Sequence, residues 1–253
     1  MEAEAKRNIR LVLQYDGSRY HGWQRQKGDL TVQELLEEKI RLITGESVTV
    51  AASGRTDAGV HALHQVCSFL TRSRLDPQSF HRALNSLLPP DIHIDLAEAV
   101  PLEFHARYSA RSKIYEYRVL NRPEPDPFLR AYTWHVPSVL DLSEMERCLP
   151  FLLGMQDFSS FMGSGSTVTD PVREMKRAEM KRSEDGLLLF LFEADGFLRH
   201  MVRNIVGTLV EVGKGKRDSL EFQKILQARD RRSAGITAPA HGLFLKRVRY
   251  DLA

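Results

Sequence analysis

What most limits the fold of this chain is the order in which its two hydrophobic periodicities occur. Residues 9–15 alternate weakly and run into Asp16-Gly17, as a strand entering a turn does. Thr31 with Glu34 has the pattern of a capping box, and Val32, Leu35, Leu36, Ile40 and Ile43 then recur at helical spacing until Gly45. Residues 48–52 and 65–71 read as strands. Pro77 opens a second helix that carries Phe80, Ala83, Leu84, Leu87 and Leu88 as far as Pro89-Pro90, and residues 92–100 return to a strand.

The second half mixes the same elements more loosely. Strands are expected at 114–120 and 132–136, followed by a helix capped by Ser143 and Glu146 and carrying Met145, Leu149, Leu152 and Leu153. Residues 172–181 and 187–194 flank Ser183-Glu184-Asp185-Gly186, a hairpin signal. Residues 201–212 and 220–226 have helical periodicity, and 243–250 reads as a final strand. No strict strand–helix–strand repeat appears, which predicts an α+β fold with a largely antiparallel sheet rather than a doubly wound parallel one. The Gly-rich stretch 162–167 reads as a loop, and 121–128, with its three prolines, as a crossing between domains.

Composition narrows the class. At 253 residues the chain fits one large domain or two modest ones, and 42% hydrophobic with 27% charged residues is too apolar for disorder. The longest apolar run is the six residues 187–192, far below the roughly 20 of a membrane-spanning helix. The N-terminal residues lack the apolar stretch of a secretory signal, so the expected location is cytoplasmic, without a membrane. Cys67 and Cys148 belong to no metal or redox spacing and are expected to be buried thiols. The net charge of +3 says little by itself, but it is unevenly spread. Arg199, Arg203, Lys214, Lys216 and Arg217 face only Glu211 within their stretch, and Arg107, Arg111 and Lys113 have no acid between them. Such clusters suit a polyanion or a solvated face equally.

Several signatures of chemistry fail. Gly207 and Gly213 have five residues between them where a phosphate-binding loop has four, and Lys214 is followed by Gly215, so no nucleotide cofactor is expected. Ser164 and Ser166 do not sit in a nucleophile elbow. His61 and His64 could share a helix face, but no third ligand has a metal-site spacing, and no metal is expected.

The segment that stands out is Ser53-Gly-Arg-Thr-Asp-Ala-Gly-Val-His61. Gly54 and Gly59 permit sharp turns or close approach and bracket a cation, Arg55, and a carboxylate, Asp57. The residues alone allow two readings: a loop presenting both groups from the end of a sheet, or a turn in which Asp57 caps a helix and Arg55 is solvated.

Gly54-Arg-Thr-Asp-Ala-Gly-Val-His-Ala62 resembles the catalytic-loop signature of the TruA family of tRNA pseudouridine synthases. Tyr15-Asp-Gly17, Gly22-Trp-Gln-Arg-Gln26, Gln65-Val66 with Phe69, Phe104-His-Ala-Arg-Tyr108, Tyr115-Glu-Tyr117, Met201-Val-Arg-Asn-Ile-Val-Gly207 and Gly242-Leu-Phe-Leu245 follow in the family's order, from about residue 9 to 250. The resemblance implies isomerisation of uridine to pseudouridine in the anticodon stem-loop of tRNA, at positions 38, 39 and 40, with no cofactor. It also implies an α+β fold of two similar halves, with a largely antiparallel sheet, helices on one side and a central basic cleft, acting as a homodimer. Residues 1–110 would carry the Asp loop, and 111–253 the pocket Tyr, Arg and Leu.

By that resemblance Asp57 is the nucleophile, Arg203 its buried counter-charge, Tyr115 the ring against the uracil and Leu245 the aliphatic wall opposite. A carboxylate can attack carbon or assist departure of the base without a cofactor. It must be ionised, and a cation within about 4–6 Å offsets the effect of burial. Arg55 suits the support of an extruded nucleotide, because a guanidinium can stack and bind phosphate. Arg107, Arg111, Lys113, Lys214, Lys216 and Arg217 are candidates for the phosphate backbone. Tyr115 has core packing as its competing role, Arg203 a phosphate contact, and Leu245 the neighbouring Leu243 as a substitute. Trp23, beside Arg25 and Lys27, suits either RNA stacking or the core. Two other functions compete: a protein of this fold that binds or folds tRNA without modifying it, and a metal-dependent nuclease built on Asp57, His61 and His64.

Overall fold

The computed structural model describes residues 5–165 and 168–251. The chain divides into two compact units, residues 1–111 with 245–253, and residues 112–244. The expected leaderless N-terminus falls partly on residues 1–4, and the expected loop 162–167 partly on 166–167, which lie outside the described residues.

In the first unit β1 (Arg7–Tyr15) leads to α1 (Val32–Thr44), the two-residue β2 (Ala51–Ala52), β3 (His61–Thr71), α2 (Pro77–Leu87) and β4 (Ile92–Val100). β1 lies between β3 and β4, antiparallel to both. Ile9, Leu11 and Leu13 alternate along it and are wholly buried, as period-two patterning requires. α2 packs on β4 and sets Phe80 edge-on against Phe69 of β3, ring centres 5.7 Å apart. Asp76 caps α2 by accepting from the Ser79 amide at 3.0 Å, just before Pro77 in the first turn. α1 begins after Thr31 as expected, but no capping box forms. The Thr31 hydroxyl is buried and makes no hydrogen bond. The strand expected at 48–52 shrinks to β2. The Glu37 carboxylate accepts from the Val50 amide at 2.9 Å and the Gln33 side chain donates to its carbonyl at 3.2 Å, so α1 occupies groups a ladder would use.

The second unit begins in β5 (Ala110–Leu120) and continues through β6 (Trp134–His135), α3 (Leu142–Cys148), β7 (Gly154–Asp157), β8 (Val172–Arg182), β9 (Leu187–Ala194), α4 (Met201–Gly213) and α5 (Ser219–Ala228). Its strands run in the order β5-β9-β8-β7 with antiparallel pairing, and short β6 adds to β5 in parallel. α4 is buried over most of its length, and Phe161 stacks on Phe222 of α5 at 5.6 Å. α3 starts earlier than expected. Asp141, not Ser143, is its cap and accepts from the Glu144 amide at 3.0 Å. Glu144 in turn accepts from the Ser219 amide at 2.8 Å, fastening α3 to the start of α5.

The proline-rich stretch 121–128 does not separate the units; it lies inside the second one. Asn121 donates from its side chain to the carbonyls of Val136 and Ser138, and Asp126 accepts from the Phe128 amide and from Arg122. The prolines end β5 and shape an ordered turn. From the second unit the chain enters β10 (Leu243–Tyr250), most of which belongs to the first unit, where it lies beside β3. The mixed, mainly antiparallel architecture is the expected α+β class.

Candidate active site

Asp57 sits in the irregular segment between β2 and β3, which is bonded to the body of the first unit at Ser53, Gly54, Thr56 and Gly59. The Ser53 amide donates to the Val66 carbonyl at 2.8 Å, and the Ser53 hydroxyl to Gln65 Oε1 at 2.7 Å. Gln65 Nε2 returns to the Gly54 carbonyl at 2.9 Å. Thr56 is buried, its hydroxyl 2.7 Å from the Tyr15 hydroxyl and its carbonyl accepting from the Trp23 amide at 3.1 Å. Burial pushes the Tyr15 phenol up to about 12, so it stays neutral and serves as a hydrogen-bonding group. After Asp57 the chain turns, Val60 N–H donating to the Asp57 carbonyl at 3.1 Å and Gly59 N–H to the Tyr20 carbonyl at 3.2 Å. Arg55 is left exposed and Asp57 half-buried. β3 follows the turn, so Asp57 caps no helix.

Two glycines explain why the Tyr15-Asp-Gly17 and Gly22-Trp23 motifs accompany this loop. A Cβ on Gly17 would lie 2.0 Å from the Val60 carbonyl oxygen, and one on Gly22 2.4 Å from the Thr56 carbonyl oxygen, with φ at +86°. Only glycine lets these strands of backbone touch the loop from behind. Trp23 is a core residue, 2% exposed, with its ring centre 6.2 Å from that of Tyr15. RNA stacking is not open to it in this position.

His61 and His64 lie on β3, not on a helix, and their odd spacing sends them to opposite faces. His61 is buried, Nδ1 accepting from the Gly17 amide at 3.0 Å and lying 3.1 Å from Asp16 Oδ1. His64 is partly exposed and accepts from the Val248 amide at 3.4 Å. The pair therefore cannot share one ion. Among the described residues no group of three or more His, Cys, Asp or Glu is arranged to hold a metal.

In the second unit Tyr115 and Tyr117 share a face of β5, opposite Phe192 and Phe190 of β9. They differ in how they are engaged. Tyr117 is wholly buried, donates to the Pro239 carbonyl at 2.7 Å and has its phenol pushed far up by burial. It is a structural tyrosine. Tyr115 is 7% exposed, with Phe197 edge-on at 4.9 Å. Arg203, half-buried on the first turn of α4, donates from Nε to the Ala238 carbonyl at 2.8 Å. Leu245 and Leu243 lie on one face of β10, and Leu245 is the more deeply buried.

The six basic candidates are not equivalent. Arg107, Lys214 and Lys216 are exposed, Arg107 beside the Tyr108 ring at 5.6 Å. Arg111 is exposed but pairs with Asp251 at 2.6 Å. Arg217 is held by Glu211 at 3.0 Å and by the Ser233 carbonyl, which makes it a fastening for the chain after α4. Lys113 is half-buried on β5. Sequence reasoning missed the residues that support these groups, Tyr15 and Thr56 behind the loop and Asn204 behind Arg203. Asn204 was visible as a polar residue among the apolar positions Val202, Ile205 and Val206 of a buried helix.

A sequence model of the family described as tRNA pseudouridine synthase matches residues 11–109 and 151–251. The chain is 46% identical over 244 residues to tRNA pseudouridine synthase A of Thermoanaerobacter sp. (strain X514), covering 96% of this chain and 100% of that protein. It is equally similar to the protein of that name in Acetivibrio thermocellus, with the same coverage. To that of Geobacillus kaustophilus it is 46% identical over 245 residues, covering 96% of this chain and 94% of the relative.

Proposed function

Because the chain belongs to the tRNA pseudouridine synthase family, we propose that it isomerises uridine to pseudouridine at positions 38, 39 and 40 of the tRNA anticodon stem-loop, with Asp57 as the nucleophile. The observation that carries this reading is the loop of Asp57. Its neighbours are bonded into the first unit on both sides, through Ser53, Gly54, Thr56 and Gly59, and the turn after it closes on the Asp57 carbonyl, with Arg55 exposed and Asp57 half-buried. A carboxylate and a guanidinium held this way need little reorganisation before reaction.

The reaction breaks the bond from N1 to C1′, turns the uracil and joins C5 to C1′. The proton on C5 leaves for solvent and N1 gains one, so the isomer has the same composition. Asp57 attacks C1′ or C6, or assists departure of the base, and is regenerated at the end. Arg55 occupies the space vacated by the extruded nucleotide and binds phosphate. Tyr115 lies against the uracil, and its hydroxyl relays the proton from C5. Arg203 keeps Asp57 ionised and Leu245 closes the other face of the base. Phosphate contacts come from Arg107, Lys214 and Lys216, with Arg111, Lys113 and Arg217 as secondary candidates because other groups engage them or partly bury them. The reading carries with it a two-part chain in which residues 1–110 bring the Asp loop, a homodimer, a cytoplasmic location and no cofactor.

The test is release of tritium from tRNA labelled at uracil C5. The wild-type protein should release the label in EDTA and leave the tRNA at full length, and Asp57→Ala should release none. Full activity in Asp57→Ala removes the assignment. Strand cleavage that EDTA abolishes would mean a metal-dependent nuclease.

A further inference from the structure

The polar residues of α4 are fastened to the segment 231–239 that precedes β10, and Arg203 is one end of that attachment. Asn204, wholly buried, donates to the Phe161 carbonyl at 2.8 Å. Its Oδ1 accepts from the Thr237 hydroxyl at 2.7 Å and from Arg231 Nη2 at 3.1 Å. The same Arg231 nitrogen reaches Thr237 Oγ1 at 3.1 Å, and Nη1 donates to the Ala234 carbonyl at 3.3 Å. Thr237 is followed by Ala238, which meets Arg203 twice. The Ala238 carbonyl accepts from Arg203 Nε at 2.8 Å, and the Ala238 amide donates to the Arg203 carbonyl at 3.1 Å. Helix and strap touch through their backbones: a Cβ on Gly207 would lie 1.8 Å from the Ile236 carbonyl oxygen. One and two turns beyond Asn204, Thr208 accepts from the Gly235 amide at 3.0 Å and Glu211 from the Ile236 amide at 3.3 Å.

Two features go beyond what holding a loop requires. Arg231 is partly withdrawn from water, and burial lowers its pKa, yet its hydrogen bonds go to an amide, a hydroxyl and a carbonyl, none of them to a carboxylate. The Glu211 charge nearby offsets part of that burial, and the guanidinium directs its hydrogen bonds to neutral groups of the strap and of Asn204. And the strap fixes the one nitrogen of Arg203 that sets the plane of its guanidinium. With Nε bound to the carbonyl of a residue that is itself tied back to the Arg203 backbone, the turning of the Nη fork is restricted.

We propose that Thr237, backed by Asn204 and Arg231, is a positioning residue for Arg203 in catalysis. It sets the Ala238 carbonyl, and the carbonyl sets the guanidinium. This rests on the role given to Arg203 above.

Single-turnover tritium release, with enzyme in excess over C5-labelled tRNA, tests it together with tRNA Kd. Thr237→Val removes the hydroxyl at constant shape and should slow release about ten- to a hundredfold, the range expected for a small misplacement of a catalytic group. Kd should not change, and Thr237→Ser, which keeps the hydroxyl, should restore the rate. Lysine has no Nε to offer Ala238, so in an Arg203→Lys background Thr237→Val should add less than about twofold. Effects that multiply in the double variant overturn the positioning role and leave Arg203 itself standing. A wild-type rate in Arg203→Lys overturns both. A rate loss that tracks the unfolded fraction, read by circular dichroism at the assay temperature, also overturns the positioning role.

Discussion

Arg55 and Thr56 are adjacent and have opposite surroundings. Thr56 is buried against Tyr15, whereas Arg55 is exposed. Truncating an exposed side chain usually changes stability by less than about 0.5 kcal/mol. Arg55→Ala should therefore keep the wild-type melting temperature while single-turnover release collapses, and near-normal kinetics would remove its role with the extruded nucleotide. His64 gives a prediction of the other kind. Burial, assisted by the Arg247 charge, lowers its pKa below the ordinary value, so the unfolded chain takes up the proton first as pH falls. The stability it contributes is whole above its unfolded pKa of about 6.5 and is lost as pH falls through the depressed native value. Urea unfolding of His64→Gln at about pH 7.5 and pH 5.5 should show a smaller pH difference than wild type.

At the scale of the element, strands 92–100 and 243–250 and the hairpin of β8 and β9 were legible because their alternation and turn residues are local. The errors came where a side chain from elsewhere took a backbone group. β2 is short because Glu37 and Gln33 of α1 hold Val50, and no alternation pattern reports that. Thr31 and Glu34 have the right spacing for a capping box, yet the hydroxyl lies buried without a bond. Asp141 outcompeted Ser143 because an aspartate two positions earlier serves the same helix start. The Asp57 loop was recognisable through its glycines and its companion motifs, but that Tyr15 and Trp23 hold Thr56 was not, since they are remote in sequence. Gly17→Ala tests those anchors. Its Cβ would meet the Val60 carbonyl at 2.0 Å, a backbone atom that cannot rotate away. Overpacking of this kind destabilises by about 1–3 kcal/mol, or roughly 2–4 °C per kcal/mol in a chain of this size. Because the Val60 amide also holds the Asp57 carbonyl, turnover should fall further than the loss of folded protein explains, as thermal melts and single-turnover rates measured together will tell.

Across the molecule the two cysteines act as internal reporters, one in each unit: Cys67 on β3 and Cys148 at the end of α3. Both are buried. Burial raises the Cys67 thiol strongly and pushes Cys148 up to about 12, so neither is a thiolate under ordinary conditions. A disulfide reagent at about pH 8 should leave both unmodified in the native protein and modify both in denaturant. Peptide-resolved labelling would then give a separate opening rate for each unit; rapid reaction of Cys67 in native protein would contradict the packing of β3. The clearest consequence at this scale comes from the return of β10 to the first unit. Synthesis delivers β1, β3 and β4 early, but roughly 140 residues intervene between β4 and the strand that lies beside β3, about 7–28 seconds of translation at 5–20 residues per second. During that interval the nascent chain presents β3 with much of one edge unpaired, and an unpaired edge invites foreign strands. On the ribosome, shielding that edge falls to the short β2 and to whatever chaperone meets the emerging polypeptide.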